Sequence, residues 1–522
     1  LESRPPRGAA LRVFLPGLAL LLATRAALAA SDRFFPDGDE AVVGLMAKHL
    51  LERGEVSLFY WGQAYGLAIL EAAAAAVAFA IAGISGAALK LAALALFVLG
   101  WIAFVAAARR LAGDRVASIT GILLASAPAW FAFSMKAWGG FVTSFLLGAV
   151  ALLVLAAPVD RPRRRRAAVA GGLAALALFS QAVGAVAFGL LFLADEARPR
   201  RRGEWAALVA GALVVGAALL AAARPGEAYW APSLFRGFGG ADVATAPPTS
   251  FARALAVMAG GCHFMNTALP SPPLARVAAA VTLLALVVLV ANGAWRARQS
   301  RSFALEAACA ASTLAVLAVA LAMRPDRLMF RYLVPLIAPL ALGVAVLVAR
   351  AASARRAGRL AAALGAAVWV VAGVGAAWGM RSLPFNGWTM REERALPALV
   401  AMLEREHVRA VCTTHPTLQW LLMFESRERI LARWTHPRDR RPEIPRAVDA
   451  ALAAGETVAL VAPARQAAAV ASRLEHAGAA VAPEPRLVRD AFVVYLGVSA
   501  PQVEALGFAP ADRGSSGRPA GP

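Results

Sequence analysis

Cysteine is nearly absent from this chain. Cys262, Cys309 and Cys412 are the only three in 522 residues, too few and too scattered for a disulfide framework or a zinc site. Charge is scarce as well: 16% of residues are charged, where a soluble globular chain carries about 25%. Acidic residues are the rarer sign, 32 against 53 basic ones, for a net charge of +21. That excess calls for no nucleic-acid partner. The basic residues sit in short clusters between apolar runs, which is the distribution the positive-inside rule produces. With 60% hydrophobic residues and a mean hydropathy of +0.63, the composition is that of a polytopic membrane protein.

The first long apolar segment covers 13–30 and is broken only by Thr24-Arg25. It approaches the roughly 20 residues needed to cross a bilayer. Its end, Ala-Leu-Ala-Ala before Ser31, also suits a signal-peptide cleavage site. The run is long for such a peptide, so it is read as a retained span. The chain opens on Leu1, and the completeness of its N-terminus is left open.

Further apolar segments cover 86–108, 116–133, 141–159, 167–194, 205–223, 277–294, 303–323, 333–348 and 361–380. Clusters at Arg4/Arg7/Arg12, Arg109/Arg110/Arg115, Arg161 to Arg166, Arg198 to Arg202, Arg296/Arg298/Arg301 and Arg350/Arg355/Arg356/Arg359 are expected on the cytoplasmic side. Counting 65–85 as a span would put Arg109, Arg110 and Arg115 outside, so it is read as helices in the outer interface. Segment 167–194 is too long for one span and carries the polar break Ser180-Gln181 with Gly184, which predicts two short helices. The count becomes about eleven spans, N-terminus inside and C-terminus outside.

These readings divide the chain into a membrane domain, 1–380, and a small extracytoplasmic α/β domain, 381–508. Within the first, 31–85 forms one outer loop with its interfacial helices and 224–276 a second. The α/β assignment rests on a helix at 396–406, strands at 408–412 and 457–461, a helix at 465–477 and a strand at 492–496. The Gly/Pro/Ser-rich tail 509–522 reads as disordered.

Directly after the first apolar segment comes Phe35-Pro36-Asp37-Gly38-Asp39-Glu40. Ionisable groups kept at a membrane are costly and are functional candidates by default. Asp37 and Glu40 also have the D-x-x-E spacing of a capping box for a helix over 41–53. Capping, worth about 1 kcal/mol, leaves Asp39 unexplained. The helix-spaced stripe Val42, Leu45, Met46, His49 and Leu50 is expected to rest on the membrane.

Three features in order resemble the GT-C glycosyltransferases, nearest the protein mannosyltransferase and aminoarabinose transferase relatives (glycosyltransferase family 39-like). They are Asp39-Glu40 in the first outer loop, the run Phe59-Tyr60-Trp61-Gly62-Gln63-Ala64-Tyr65-Gly66, and Arg331-Tyr332-Leu333-Val334-Pro335-Leu336 opening a late span. The resemblance implies a polytopic α-helical GT-C-like membrane domain. It further implies transfer of a sugar from a polyprenyl-phosphate-linked donor to a protein, lipid or glycan acceptor, on the extracytoplasmic face of a bacterial inner membrane. Such a donor needs no soluble nucleotide, and the chain has no convincing Gly-rich phosphate loop. An inverting transfer requires a base for the acceptor hydroxyl. The family places that role on the first-loop aspartate, which maps to Asp39; Glu40 would orient the acceptor or support Asp39. A divalent metal is left open, since relatives differ and no ligand set stands out.

The donor phosphate calls for cations near membrane depth. Arg324, Arg327 and Arg331 cluster in a short outer loop against the positive-inside trend. An Arg at a helix centre costs roughly 2.5–3.5 kcal/mol, which a bidentate phosphate contact would offset; snorkelling to lipid headgroups is the plainer explanation. Arg331 is the first candidate, then Arg327, with Tyr332 beside them. Lys136, in the turn Lys136-Ala137-Trp138-Gly139-Gly140, is a further one, whereas Lys90 reads as an anchor. Tyr60, Trp61, Gln63 and Tyr65 suit a sugar, though aromatic belts at interfaces have the same composition. His263, with Asn266, lies in the second outer loop and either covers substrate or is an ordinary loop residue. His436 and Asp439 have no metal-site pattern. The rivals are a transporter or lipid flippase, which would want broken or ionisable helices at mid-membrane, and a non-catalytic accessory protein.

Overall fold

The computed structural model describes residues 7–30, 35–157, 163–195, 197, 199, 201–223, 273–299, 304–322, 330–353, 356–380, 390–436, 439–476 and 484–511. Among these, six helices are long and apolar enough to cross a membrane: Leu11–Ala29, Gly86–Ser126, Arg202–Ala223, Pro273–Gln299, Tyr332–Ala351 and Arg356–Gly379. Shorter apolar helices cover Ile69–Ala82, Phe141–Leu155, Ala182–Leu193 and Leu305–Val319.

The 41-residue helix Gly86–Ser126 is two helices joined at Gly113, whose φ of 86° and ψ of 175° interrupt it. The Trp101 indole donates to the Gly121 carbonyl at 3.1 Å. In a straight helix those residues would lie about 30 Å apart, so the chain reverses at Gly113, in a conformation that favours glycine. The two predicted segments, 86–108 and 116–133, are this antiparallel pair. The second, however, stops at Ser126 rather than at 133. Ala127 turns extended (φ −66°, ψ 119°) before Pro128, as steric conflict with a following proline favours, and Pro128–Phe133 is a separate short helix.

The predicted break at Ser180-Gln181 is present. Arg163–Ser180 ends there, Gln181 is extended, and Ala182–Gly189 follows. The late Arg-Tyr-x-x-Pro run forms a 3-10 turn, Phe330–Leu336, that leads into Ile337–Ala351.

The C-terminal domain carries a five-stranded sheet whose strands, from one edge to the other, are Leu431–Trp434, Ala410–Thr413, Val458–Pro463, Phe492–Leu496 and Pro485–Val488. Its strands are β1 (Ala410–Thr413), β2 (Leu431–Trp434), β3 (Val458–Pro463), β4 (Pro485–Val488) and β5 (Phe492–Leu496). β1 pairs parallel with β2 and β3, while β5 pairs antiparallel with β3 and β4. The parallel connections run through Pro416–Glu425 and Glu443–Ala453. Side chains alternate across the sheet. Val411, Ala459 and Val461 enter one core, and Ala410, Cys412, Val458 and Leu460 enter another on the opposite face.

The first of those cores corrects the expectation for the stripe on Gly38–Arg53. Val42 and Leu45 are 0% exposed, Met46 2% and His49 3%, and the three apolar ones pack with Leu418, Leu422 and Phe424 of the C-terminal domain. The stripe faces protein, not the membrane. An amphipathic face cannot state from its own sequence which apolar surface it will meet. Beside this core, Lys48 and His49 meet Glu428 at 2.7 and 2.8 Å, and His49 meets Glu55 at 3.0 Å.

Candidate active site

The Phe35–Glu40 motif starts the helix Gly38–Arg53, and the expected capping box is complete. Asp37 Oδ1 accepts from the Glu40 amide at 2.9 Å, and Glu40 Oε2 accepts from the Asp37 amide at 3.0 Å. Both carboxylates then do more than cap. Lys136 Nζ donates to Asp37 Oδ2 at 2.5 Å and lies 3.7 Å from Glu40, while Lys90 Nζ donates to both Glu40 oxygens at 2.7 and 2.9 Å. The Trp138 indole donates to Asp37 Oδ2 at 2.6 Å, and its ring lies 4.5 Å from the Lys136 ammonium. All four charged groups are buried, and their formal charges sum to zero. Burial pushes the Asp37 carboxyl up, but the charge and hydrogen bond of Lys136, helped by the Glu40 amide and Lys90, hold it below its ordinary value of 3.8.

A buried carboxylate from the next helix shapes the turn that carries Lys136. Glu71 accepts from the amides of Gly139 and Gly140 at 2.8 and 2.9 Å and from the Thr143 hydroxyl at 3.2 Å. Gly139 and Gly140 have φ of 63° and 131°, in the region open to glycine. Sequence reasoning missed Glu71. Its signal was a single acid within the apolar Ile69–Ala82, which is a functional flag in its own right.

Asp39 is different from its neighbours. Its side chain is 43% exposed. Oδ1 accepts from the Tyr60 hydroxyl at 3.0 Å and lies 3.3 Å from Arg440 Nη2 of the C-terminal domain. The Arg440 guanidinium also covers the Tyr60 ring at 4.5 Å and reaches the Trp61 carbonyl at 3.5 Å. Burial raises the Tyr60 phenol well above its ordinary value, with Arg440 opposing and Asp39 adding to the rise, so it stays a neutral donor. Burial lowers Arg440, but the facing Tyr60, Asp39, Asp439 and Tyr65 outweigh it and leave the guanidinium above its ordinary value. Gln63 and Tyr65 lie half-buried on the same turn. That turn is tied back by the Tyr60 amide donating to the Gly66 carbonyl at 2.9 Å, and by the Gly66 amide donating to Phe179 at 2.8 Å.

The structure therefore gathers Asp39, Tyr60, Gln63 and Tyr65, and adds Arg440. Glu40 and Lys136 lie behind them in the buried ion network. Tyr332 packs against the membrane core, and the backbone of Arg331 lies in the 3-10 turn before it. The Arg331 side chain, Arg324, Arg327, His263 and Asn266 fall outside the described residues, as does most of the 224–276 loop and of the 509–522 tail. Among the described residues no group of His, Cys, Asp and Glu is placed to hold a metal ion.

No protein-family model and no curated protein sequence matches this chain. Its fold, however, has solved counterparts. ArnT from Cupriavidus metallidurans aligns with a TM-score of 0.60 at 16% identity, over 94% of this chain and 99% of that one. A second structure of that protein, bound to undecaprenyl phosphate, aligns with 0.60 at 14% identity, over 95% and 99%. The oligosaccharyltransferase of Archaeoglobus fulgidus gives 0.54 at 12% identity, over 89% and 71%. All of these have the GT-C glycosyltransferase fold. The chain is thus a polytopic helical protein of the GT-C fold with a small C-terminal α/β domain. At such identities the likeness is one of fold.

Proposed function

We propose that this protein is an integral membrane glycosyltransferase that moves a sugar from a polyprenyl-phosphate-linked donor to an acceptor on the extracytoplasmic face, with Asp39 as general base. One observation carries the reading. Of the three carboxylates in the Phe35–Glu40 motif, Asp37 and Glu40 are buried in ion pairs with lysines, while Asp39 is half-open and meets the Tyr60 phenol and Arg440 through one oxygen. A base needs access to its substrate and a fixed orientation; Asp39 has both.

In the proposed step the acceptor hydroxyl loses its proton to Asp39 as its oxygen attacks the anomeric carbon. The bond from that carbon to the donor phosphate oxygen breaks, and polyprenyl phosphate departs with the electron pair. Inversion follows from attack opposite the leaving group. The fold supports a lipid-linked donor: ArnT has been solved with undecaprenyl phosphate and the archaeal oligosaccharyltransferase with a dolichol-phosphate. We assign the leaving phosphate to Arg331, with Arg327 as the second candidate, because Lys136 is engaged by Asp37. The positive-inside reading of the arginine clusters supports an extracytoplasmic position for Asp39 and the C-terminal domain.

The full chain in liposomes, supplied with labelled sugar on polyprenyl phosphate or on a soluble nucleotide, tests this reading. Label is expected to leave the lipid-linked donor alone, with release of polyprenyl phosphate. Transfer from the nucleotide alone would overturn the donor assignment.

A further inference from the structure

We infer that Arg440, a residue of the C-terminal domain, is a positioning residue for Asp39, so that the site is assembled from both parts of the chain. The inference rests on the transferase reading above and adds a residue to it.

The geometry is specific to one oxygen. Asp39 Oδ1 faces two donors, Arg440 Nη2 at 3.3 Å and the Tyr60 hydroxyl at 3.0 Å, which Oδ1 shares with the Asp39 carbonyl at 2.9 Å. No hydrogen bond to Oδ2 is formed by the described residues. Two donors on one oxygen fix the plane of the carboxylate and leave the second oxygen for the acceptor hydroxyl. Tyr60 is itself placed by Arg440, whose guanidinium lies 4.5 Å from the centre of its ring. Stacking of this kind suits the planar guanidinium and not an ammonium.

The domain does not need Arg440 in order to dock. The apolar core shared by Val42, Leu45, Met46, Leu418 and Leu422 already joins it to the first outer loop. The contacts of Glu428 with Lys48 and His49 lie in the same interface, and Arg441 covers Trp61 at 4.6 Å. The Arg440 backbone has contacts on two sides. Asp439 accepts from the Arg440 amide at 2.6 Å and from the Gln419 side chain at 2.8 Å. On the other side Gly62, with φ of 71°, lies so close that a Cβ there would sit 2.8 Å from Arg440 Cα. Asp439, Gln419 and Gly62 thus set the Arg440 backbone next to Asp39, and a half-open ion pair stabilises a fold too little to account for that.

The test is steady-state transfer by the full chain in liposomes, for wild type, Arg440→Ala, Arg440→Lys and Asp39→Asn. A misplaced reacting group costs on the order of 100-fold in rate. Arg440→Ala is therefore expected to lower kcat by about 100-fold and to leave the donor KM within about twofold. Arg440→Lys should recover only part of the loss, because it restores charge without the stacked plane. Added guanidinium should raise the rate of Arg440→Ala and not that of Asp39→Asn, a response that a purely structural role would not give. Should Arg440→Ala fail to fold, Arg440→Gln and Tyr60→Phe serve in its place, each expected to lower kcat about tenfold. Wild-type kcat in the folded Arg440 variants, with Asp39→Asn inactive, overturns the role of Arg440 and leaves the transferase reading standing. Absence of transfer by wild type from every lipid-linked donor brings down both.

Discussion

Glu40 and Lys90, fifty positions apart in the chain, meet at 2.7 Å with their side chains 0% and 2% exposed. Removing one partner from such a pair strands the other charge, at a cost of about 3–5 kcal/mol. Glu40→Gln is therefore expected to lower the unfolding free energy in detergent by that order. Asp39→Asn, at a half-open side chain, is expected to leave it almost unchanged. Equal effects on unfolding would mean that the two acids are not divided between structure and chemistry in this way.

Asp37 offers a second contrast. Asp37→Asn keeps a side-chain oxygen for the Glu40 amide but loses the charge facing Lys136, whereas Asp37→Ala loses both. An exposed N-cap contributes about 1 kcal/mol. Both variants are expected to cost clearly more than that, because Lys136 is left buried and unneutralised. The wild type should also show a pH signature. Its Asp37 carboxyl is held below 3.8 in the fold, so its contribution is complete above that value and is lost as pH falls further, through the lowered value. Urea unfolding from pH 5 to 2 measures this, and Asp37→Asn should flatten the acid limb.

The interface between the two parts of the chain should open in acid. Burial pushes Glu428 up, but its hydrogen bonds to His49 and Lys48, with their charges, pull it from 4.5 to about 2. A lowered carboxyl stabilises fully above its unfolded value and loses that contribution as pH drops toward its folded one. Hydrogen exchange in Gly38–Arg53 is expected to quicken between about pH 4.5 and 2, beyond its intrinsic pH dependence. In Glu428→Gln the interface should be looser at neutral pH and its acid response much reduced.

What could be read from the sequence depended on distance along the chain. The capping box of Asp37 and Glu40 spans three positions, and the break at Ser180-Gln181 interrupts a single apolar run, so both were legible locally. The strand Phe492–Leu496 announced itself by five consecutive apolar residues, and the structure places it there. The neutralising partners come from 50 positions away for Glu40 and 99 for Asp37. No local pattern shows that Lys90 and Lys136 are counter-charges rather than an anchor and a phosphate ligand. Arg440 lies 401 positions from Asp39, in a loop whose sequence, Arg-Asp-Arg-Arg, reads as an ordinary solvated charge run. Strands β2 and β4 escape the sequence reading because each has an arginine within its four residues, whereas β1, equally short, is uncharged.

Asp39 is the residue on which the proposed chemistry depends. The direct measurement is transfer of labelled sugar from polyprenyl-phosphate donors by the full chain in liposomes, wild type beside Asp39→Asn, with unfolding curves on both. We predict transfer by wild type, loss of at least about 100-fold in the variant as for a general base, and matching unfolding curves. A folded Asp39→Asn protein that transfers sugar at the wild-type rate would contradict the assignment of the base.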